Sequence, residues 1–402
     1  MRPPLLPVLI ALSFFLPDCG GSGPRTSVET PQPAARTIPA VVRDTSVKVD
    51  QAMAEAAAPA EIDTLLDDYA SFLAGVKPVK YYTRLADARA WNEYAAQVRK
   101  DWLNVRNEKL LKIRSWANGD EALARTYGTL FYPFAGADFL FANAYWPGID
   151  TTIMVGLEPA GSPLELYAMR DENVISFLKK MNASLSYVNR TGYFITKKMR
   201  ASLYREDLNG TLPLMLFYLK RYGYLLSGMD FVTLDTAGTP VVRGPGTGRK
   251  YSGVRIRYTD SARTAHKTLF YFSFNLCDSY AKTHREFYRF IAARGRMAGF
   301  LKAASYLMHN ASGFCTIRKT ILENCGTVLQ DDSGIPWKEF NNGLWHTRLY
   351  GNYTRIIPIF RRYFQRSLAE AYSARPVKLR LPFKIGYNTS IGETNLLVAV
   401  RM

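Results

Sequence analysis

The chain has 402 residues, 48% of them hydrophobic and 13% aromatic, and 52 Lys and Arg against 34 Asp and Glu give a formal net charge of +18. That apolar content is ample for a large core, so a chain disordered throughout is excluded. The positive excess favours anionic partners, or simply keeps the folded chain soluble.

At the amino end Arg2 leads into an apolar run from Leu5 to Leu16, followed by Pro17, Asp18, Cys19 and then Gly20, Gly21, Ser22 and Gly23. A bilayer span needs about 20 apolar residues, whereas a secretory signal needs a core of about 7 to 15. Residues 1–19 therefore read as an export signal. The segment resembles a bacterial lipoprotein signal, in which a leucine three places before the cysteine precedes lipid transfer to its sulfur. Leu16 fits that pattern, while Pro17 and Asp18 depart from it, which leaves ordinary cleavage near Gly21–Gly23 open. If Cys19 is lipidated, the membrane is a partner through that anchor and the protein faces the periplasm or the outside of a bacterial envelope. Residues 20–60 are rich in Pro, Ala, Thr and Ser, lack aromatic residues, and read as a flexible tether.

Helical spacing opens the body over residues 61–125. Ile62, Leu65, Leu66, Tyr69, Phe72 and Leu73 fall at steps of three and four, and a second stretch runs from Arg84 to Trp116 through Trp91, Tyr94, Val98 and Trp102. Gly75 and Pro78 separate the two, and the pattern predicts a helical hairpin. From residue 126 the character changes to short apolar runs bounded by Gly and Pro. Strands are predicted at Thr129–Phe134, Thr151–Leu157, Met229–Leu234, Gly253–Tyr258, Thr268–Phe274, Thr327–Gln330, Lys378–Tyr387 and Asn395–Val400. Helices are predicted near Asp171–Tyr187, Leu212–Leu226, Tyr280–Arg296, Ile317–Glu323 and Ile356–Tyr372. The expected fold is α+β: a helical hairpin, a mixed α/β body over 126–402 with one large sheet, and a C-terminal β-hairpin turning at Asn388–Glu393.

Candidate chemistry lies in three stretches. In FYPFAGADFLFANAYWPGIDTTIMVGLEP, a first strand ends before Gly136 and Asp138, and a second ends at Glu158. Parallel pairing would bring both carboxylates to one sheet edge, as acid and base or around a cation; the alternative is a helix cap at Asp138 and a turn at Glu158. In QDDSGIPWKEF, Asp331 and Asp332 follow a strand and should point different ways, either into a site or into an Asx-type turn. In FLKAASYLMH, Ser305 and His309 suggest a nucleophile and base, without the G-x-S-x-G elbow of a hydrolase serine. No phosphate-binding loop is present, since GPGTGRK at Gly244–Lys250 has the wrong spacing. Basic residues recur on the predicted helices, and Arg355, Arg362 and Arg366 share one stripe of the Ile356–Tyr372 segment. With Lys302 and Arg348 they are the candidate binding cations, towards an anionic lipid or glycan or merely towards solvent.

Cys277, Cys315 and Cys325 are odd in number. Cys315 with Cys325 is the pair best placed for a bridge, against the alternative that all three stay reduced. Four scattered histidines make no paired ligand motif, so neither a metal nor a cofactor is expected. Nucleic acid is not an expected partner in the exported compartment. The sequons at Asn182, Asn209, Asn310 and Asn352 would suit a secreted glycoprotein and also recur by chance.

The YPF segment with Gly136 and Asp138, GYFIT with Met199, FLKAASYLMH, QDDSGIP, the Leu349–Gly351 triplet and LPFKIGY together resemble a family of uncharacterised exported bacterial proteins. That resemblance covers most of the chain after residue 125 and implies no activity, cofactor or catalytic residue. The expectation is an envelope protein that binds or scaffolds an acidic envelope component. The alternative is a periplasmic hydrolase using Asp138, Glu158, Asp331, Asp332 and His309.

Overall fold

In the computed structural model the described residues are 59–125, 127–192, 210–243, 253–340, 342–387 and 393–402, and they belong to one unit from Pro59 to Met402. Cys19, the export signal, nearly all of the tether, Met199, the GPGTGRK segment and most of the expected Asn388–Glu393 turn lie outside them.

Helix α1 (Thr64–Leu73) starts where the Asp63 carboxylate accepts the Leu66 amide at 3.0 Å. A short α2 (Thr83–Ala86) leads to α3 (Arg89–Val105), and a π-turn at Arg106–Leu110 joins it to α4 (Leu111–Asn118). The apolar spacing of α3 has a physical outlet: Trp91 stacks on Phe72 at 5.6 Å and donates its indole N–H to the Phe72 carbonyl. The Tyr94 hydroxyl caps the Leu73 carbonyl at 2.6 Å. The link between α1 and α2 is held by one carboxylate, because buried Asp68 accepts the amides of Val79, Lys80 and Tyr81, each at 2.7 Å.

The body then runs β1 (Thr129–Tyr132), α5 (Phe139–Tyr145), β2 (Thr151–Gly156), α6 (Asp171–Thr191), α7 (Leu212–Arg221), β3 (Leu225–Leu234), β4 (Pro240–Val242), β5 (Gly253–Thr259) and β6 (Lys267–Ser273). It continues through α8 (Asp278–Ala281), α9 (Arg285–Ala292), β7 (Met297–Leu301), α10 (Cys315–Asn324), β8 (Cys325–Gln330), β9 (Trp345–Gly351), α11 (Arg366–Ser373) and β10 (Asn395–Arg401). The architecture is α+β around one mixed sheet of order β4-β3-β5-β6-β2-β1-β7-β8-β10-β9.

Strands β6, β2, β1, β7 and β8 form a parallel block. Their runs TTIMVG, TLFY, MAGFL and CGTVLQ are buried almost throughout, as strands covered on both faces must be. Alternation sorts the side chains between two cores: Leu130 and Tyr132 join the one that includes α1, α3 and α7, while Phe131, Ile153 and Val155 join the one that includes α9, α10 and α11.

Three expectations need correction. The closing strand makes no hairpin with Lys378–Tyr387, which contributes a single bridge from Leu379 to Tyr350. Instead β10 lies between β8 and β9, antiparallel to both, and β9 is a strand that the sequence pattern does not announce. The Ile356–Tyr372 segment is not one helix: a 3-10 turn at Pro358–Tyr363 gives way to extended backbone at Phe364 and Gln365 before α11 begins. Arg355, Arg362 and Arg366 therefore share no helical stripe. The Tyr280–Arg296 helix is likewise split at His284, whose φ of −127° leaves the helical region. Of the two readings left open for the cysteines, the reduced one holds: Cys277, Cys315 and Cys325 are all free thiols. Cys315 begins α10 and Cys325 begins the strand after it, so a helix about 15 Å long separates them.

Candidate functional site

In a parallel sheet whose first strand is flanked by β2 on one side and β7 on the other, the two connections leave in opposite directions. Open sheets of this kind place their ligand crevices outside the carboxyl ends of the strands at such a point. The segments singled out in the sequence converge on this edge. After β1 the chain turns through Phe134 and Gly136, both at positive φ (61° and 55°). After β7 it turns through Ala303, Ser305 and Tyr306, at φ 52°, 56° and 55°. Left-handed backbone at non-glycine residues carries strain on the order of 1–3 kcal/mol each and gathers at sites with a task.

Between these turns lies an enclosed ion pair. The Lys302 ammonium is 2.5 Å from the Asp138 carboxylate, both side chains are 1% exposed, and the same ammonium donates to the Gly192 carbonyl at 2.6 Å and sits 3.6 Å over the Phe141 ring. Asp138 also accepts the Tyr132 hydroxyl at 2.7 Å and the Phe141 amide at 3.2 Å, which makes it the cap of α5 as well. Burial pushes the Asp138 carboxyl above its ordinary value although Lys302 pulls it down, and burial lowers the Lys302 ammonium. Lys302 is thus a structural counter-ion rather than a surface cation.

The QDDSGIP carboxylates do diverge. Asp331 accepts the Ala303 amide at 2.9 Å and both the amide and hydroxyl of Ser333. Asp332 accepts the Tyr306 hydroxyl and the Asn395 amide group, the latter at 2.9 Å. Burial, and then the charge of Asp331 beside it, push the Asp332 carboxyl up to about 7. A cavity of about 10 Å³, room for roughly one water, adjoins Asp331 and Asp332 and is closed on one side by Gln365.

On the far side of Gln365 the surface opens into a cleft of about 270 Å³ lined by His309, Pro336, Lys338, Arg362, Tyr363, Phe364, Gln365 and Ser367. No carboxylate is among its lining residues. Tyr363 stacks on Tyr306 at 5.4 Å with rings 2° apart, and the Arg362 guanidinium covers Tyr363 at 4.7 Å. A ladder of rings thereby joins the cleft to the hydroxyl that holds Asp332. His309 is largely buried and its Nε2 has no hydrogen-bond partner. Desolvation lowers its pKa to about 4, against the opposing pull of the Gly334 and Asp332 backbone, so it is neutral at pH 7.

The other candidates fall elsewhere. Ser305 bonds the Tyr387 hydroxyl at 2.9 Å and is no partner of His309. Arg348 pairs with buried Asp120 at 2.7 Å, and Arg355 with Glu393 at 3.4 Å. Arg366 is exposed at the start of α11, beside the cleft. Glu158 lies at the end of β2, near Gly136 and apart from the Asp331–Asp332 group. The spacing of the sequence did not point to Tyr132, Asn395 or Gln365, which complete the polar cluster, since each is an ordinary residue of a strand or loop. Lys338 stood in view within QDDSGIPWKEF.

Fold and site define an α+β protein with a parallel central block and a buried polar cluster at the carboxyl ends of its strands. No protein-family model, no curated protein and no solved structure matches the chain. Among the described residues no group of three His, Cys, Asp or Glu is placed to hold a metal, and no helix is long and apolar enough to cross a membrane.

Proposed function

We propose that this is an exported protein of the bacterial envelope, tethered through Cys19, that binds an acidic envelope component in the cleft of His309, Lys338 and Arg362. The observation that carries the reading is the character of that cleft: its charged lining groups, Lys338 and Arg362, are both cations, and Ser367 adds a hydroxyl. An anionic group entering it meets donors on several sides, and Arg362 is pre-positioned by its ring contact and by a 2.7 Å hydrogen bond to the Tyr363 hydroxyl. The excess of positive charge over the whole chain would draw such ligands in.

The hydrolase reading gains one observation, the convergence of Asp138, Asp331 and Asp332 with Lys302 at the strand edge. It loses on prior engagement, because each of these carboxylates already holds two or more internal donors. A group so engaged is fixed by the backbone and side chains it caps, which fits a structural role.

The test is binding of the purified protein to polygalacturonate and to lipopolysaccharide, with neutral dextran as comparator. The anionic polymers should bind and dextran should not, and the Lys338→Ala, Arg362→Ala double variant should weaken binding at least about tenfold, as expected when two charge-assisted contacts are lost. Equal affinity of that variant would sink the cleft as the site. Mass analysis of the mature amino terminus tests the anchor separately, with an acylated Cys19 expected.

A further inference from the structure

We propose that the outward face of α3 and α4 is a docking surface for an anionic phospholipid bilayer. The choice of partner rests on the envelope tether proposed above, and the surface shares no residue with the cleft.

The first support is the way the two helices are joined. Buried positions run through Trp91, Tyr94, Val98, Trp102 and Val105 at steps of three and four, jump five to Leu110, and return to the shorter steps at Ile113 and Ala117. The π-turn at Arg106–Leu110 absorbs the extra residue, so one face stays against the body along both helices. The same turn re-registers the opposite face. In an unbroken α-helix Leu103 and Leu111 would lie about 80° apart around the axis, and one inserted residue brings them to within about 20°. Both face solvent, at 43% and 46% exposure. A single leucine so exposed needs no explanation, whereas two aligned among cations mark a face.

The second support is charge. Residues 96–115 hold six cations and two acids. Two of the cations turn inward, Lys109 to the Asn189 carbonyl and Arg114 to the Asn143 carbonyl. Arg99, Lys100, Arg106 and Lys112 are exposed and make no ion pair among the described residues. Of the acids, half-buried Asp101 accepts the Gln97 amide group at 3.0 Å, which leaves Glu108 as the exposed negative charge of this stretch. Cations flanking aligned leucines suit a surface that is negative outside and apolar a few ångströms below. The leucines and the stems of Lys and Arg enter the head-group boundary while the charges meet phosphates.

The chain outside the body supplies the occupant. Forty residues separate Cys19 from Pro59, where the described unit begins, and a flexible chain of that number spans about 35 Å. The unit starts with α1, on which α3 packs through Trp91 and Tyr94. A bilayer holding an acylated Cys19 is therefore within reach of this face and present at high effective concentration. An acidic protein surface would answer the cations but lacks the tether that brings a bilayer here.

Co-sedimentation of the full chain carrying Cys19→Ser tests the surface without help from an acyl anchor. Vesicles of equal parts phosphatidylglycerol and phosphatidylethanolamine should bind it at least about tenfold more strongly than phosphatidylcholine vesicles, with the preference lost at high salt. Lys100→Glu with Arg106→Glu should weaken binding to the anionic vesicles about tenfold or more. Leu103→Ser with Leu111→Ser should weaken it about threefold or more, and both variants should keep the parental urea midpoint, since all four side chains are exposed. Lys338→Ala with Arg362→Ala should bind vesicles as the parent does. No binding to the anionic vesicles, equal binding to both kinds, parental binding by either α3–α4 variant, or loss of binding in the cleft variant would each overturn the proposal. Mass analysis of the amino terminus reads the tether separately: an unmodified Cys19 in a chain whose Cys19→Ser form binds these vesicles would refute the anchor and keep the surface.

Discussion

Replacing Lys302 by Met removes an ammonium and keeps most of the volume of the side chain, which isolates the electrostatics of the buried pair. Asp138 would keep the Tyr132 hydroxyl and the Phe141 amide but lose its only countercharge within 2.5 Å, and the Gly192 carbonyl would lose its donor. Breaking a buried pair by deleting one partner costs about 3–5 kcal/mol, and an orphaned carbonyl adds about 1 kcal/mol or more. The expected loss is therefore about 4–6 kcal/mol, a large fraction of the stability of an ordinary domain. Asp138→Asn in the same chain removes the stranded charge while keeping one oxygen as acceptor for the Phe141 amide, its NH2 facing the Tyr132 hydroxyl oxygen, which can accept. The double variant should thus be more stable than Lys302→Met alone by about 2–3 kcal/mol. The sign with pH follows. Without Lys302 the folded-state pKa of Asp138 rises further above its unfolded value, so the deficit of the single variant should shrink as pH falls towards 4 and grow above it. Urea unfolding of the three proteins at pH 5 and pH 8 reads all of this. A Lys302→Met protein within 1 kcal/mol of the parent, or a double variant less stable than the single, would refute the account of Lys302 as a buried counter-ion.

Acidity should also act through Asp332. Its folded pKa, about 7, lies above the ordinary carboxylate value, so the native state binds the proton that the unfolded state has released, and stability falls as pH rises from about 4 to about 7. Asp332→Asn should flatten that part of the curve in a urea series; an unaltered slope would assign the titration elsewhere. At the opposite end of the molecule, Asp68→Ala leaves the amides of Val79, Lys80 and Tyr81 without their acceptor. A loss of about 2–4 kcal/mol and faster proteolysis within residues 76–82 are expected, with Asp68→Asn intermediate; limited digestion read by mass spectrometry that finds no new cuts there would contradict this.

Much of the helical amino-terminal region was readable because its helices carry their own evidence. Trp91, Tyr94, Val98 and Trp102 repeat at helical spacing, and each is buried. The central strands were readable for a related reason: TLFY, TTIMVG and the apolar part of CGTVLQ are short apolar runs between turns, and burial on both faces demands such runs. Strand β7 escaped notice because MAGFL follows the expected Tyr280–Arg296 helix without a break and its five residues leave no period to measure. Strand β9 escaped because WHTRLYG, on the edge of the sheet, mixes exposed and buried positions. The expected C-terminal hairpin failed because adjacency in sequence was taken for adjacency in space, whereas β10 finds its partners in β8 and β9.

For the site, sequence marked the segments and not their relations. It placed Asp138 at a helix start and Asp331 and Asp332 on divergent bearings, and both features are present. It set Lys302, Arg348 and Arg355 among free cations, and tertiary structure gave each an acid: Asp138, Asp120 and Glu393, the nearest of them 38 residues away along the chain. Whether a charge is spent or available depends on what the fold brings within 3 or 4 Å of it, and no local pattern encodes that distance.

By itself, then, the sequence determined composition, net charge, the α+β character and the stretches where polar residues interrupt apolar runs, since these follow from local periodicity and from the cost of burying polar groups. Tertiary structure alone decided the strand order, the switch point at β1, and which acid each buried cation meets. Those outcomes are set by contacts between residues far apart in the chain, made only when the sheet closes around its centre.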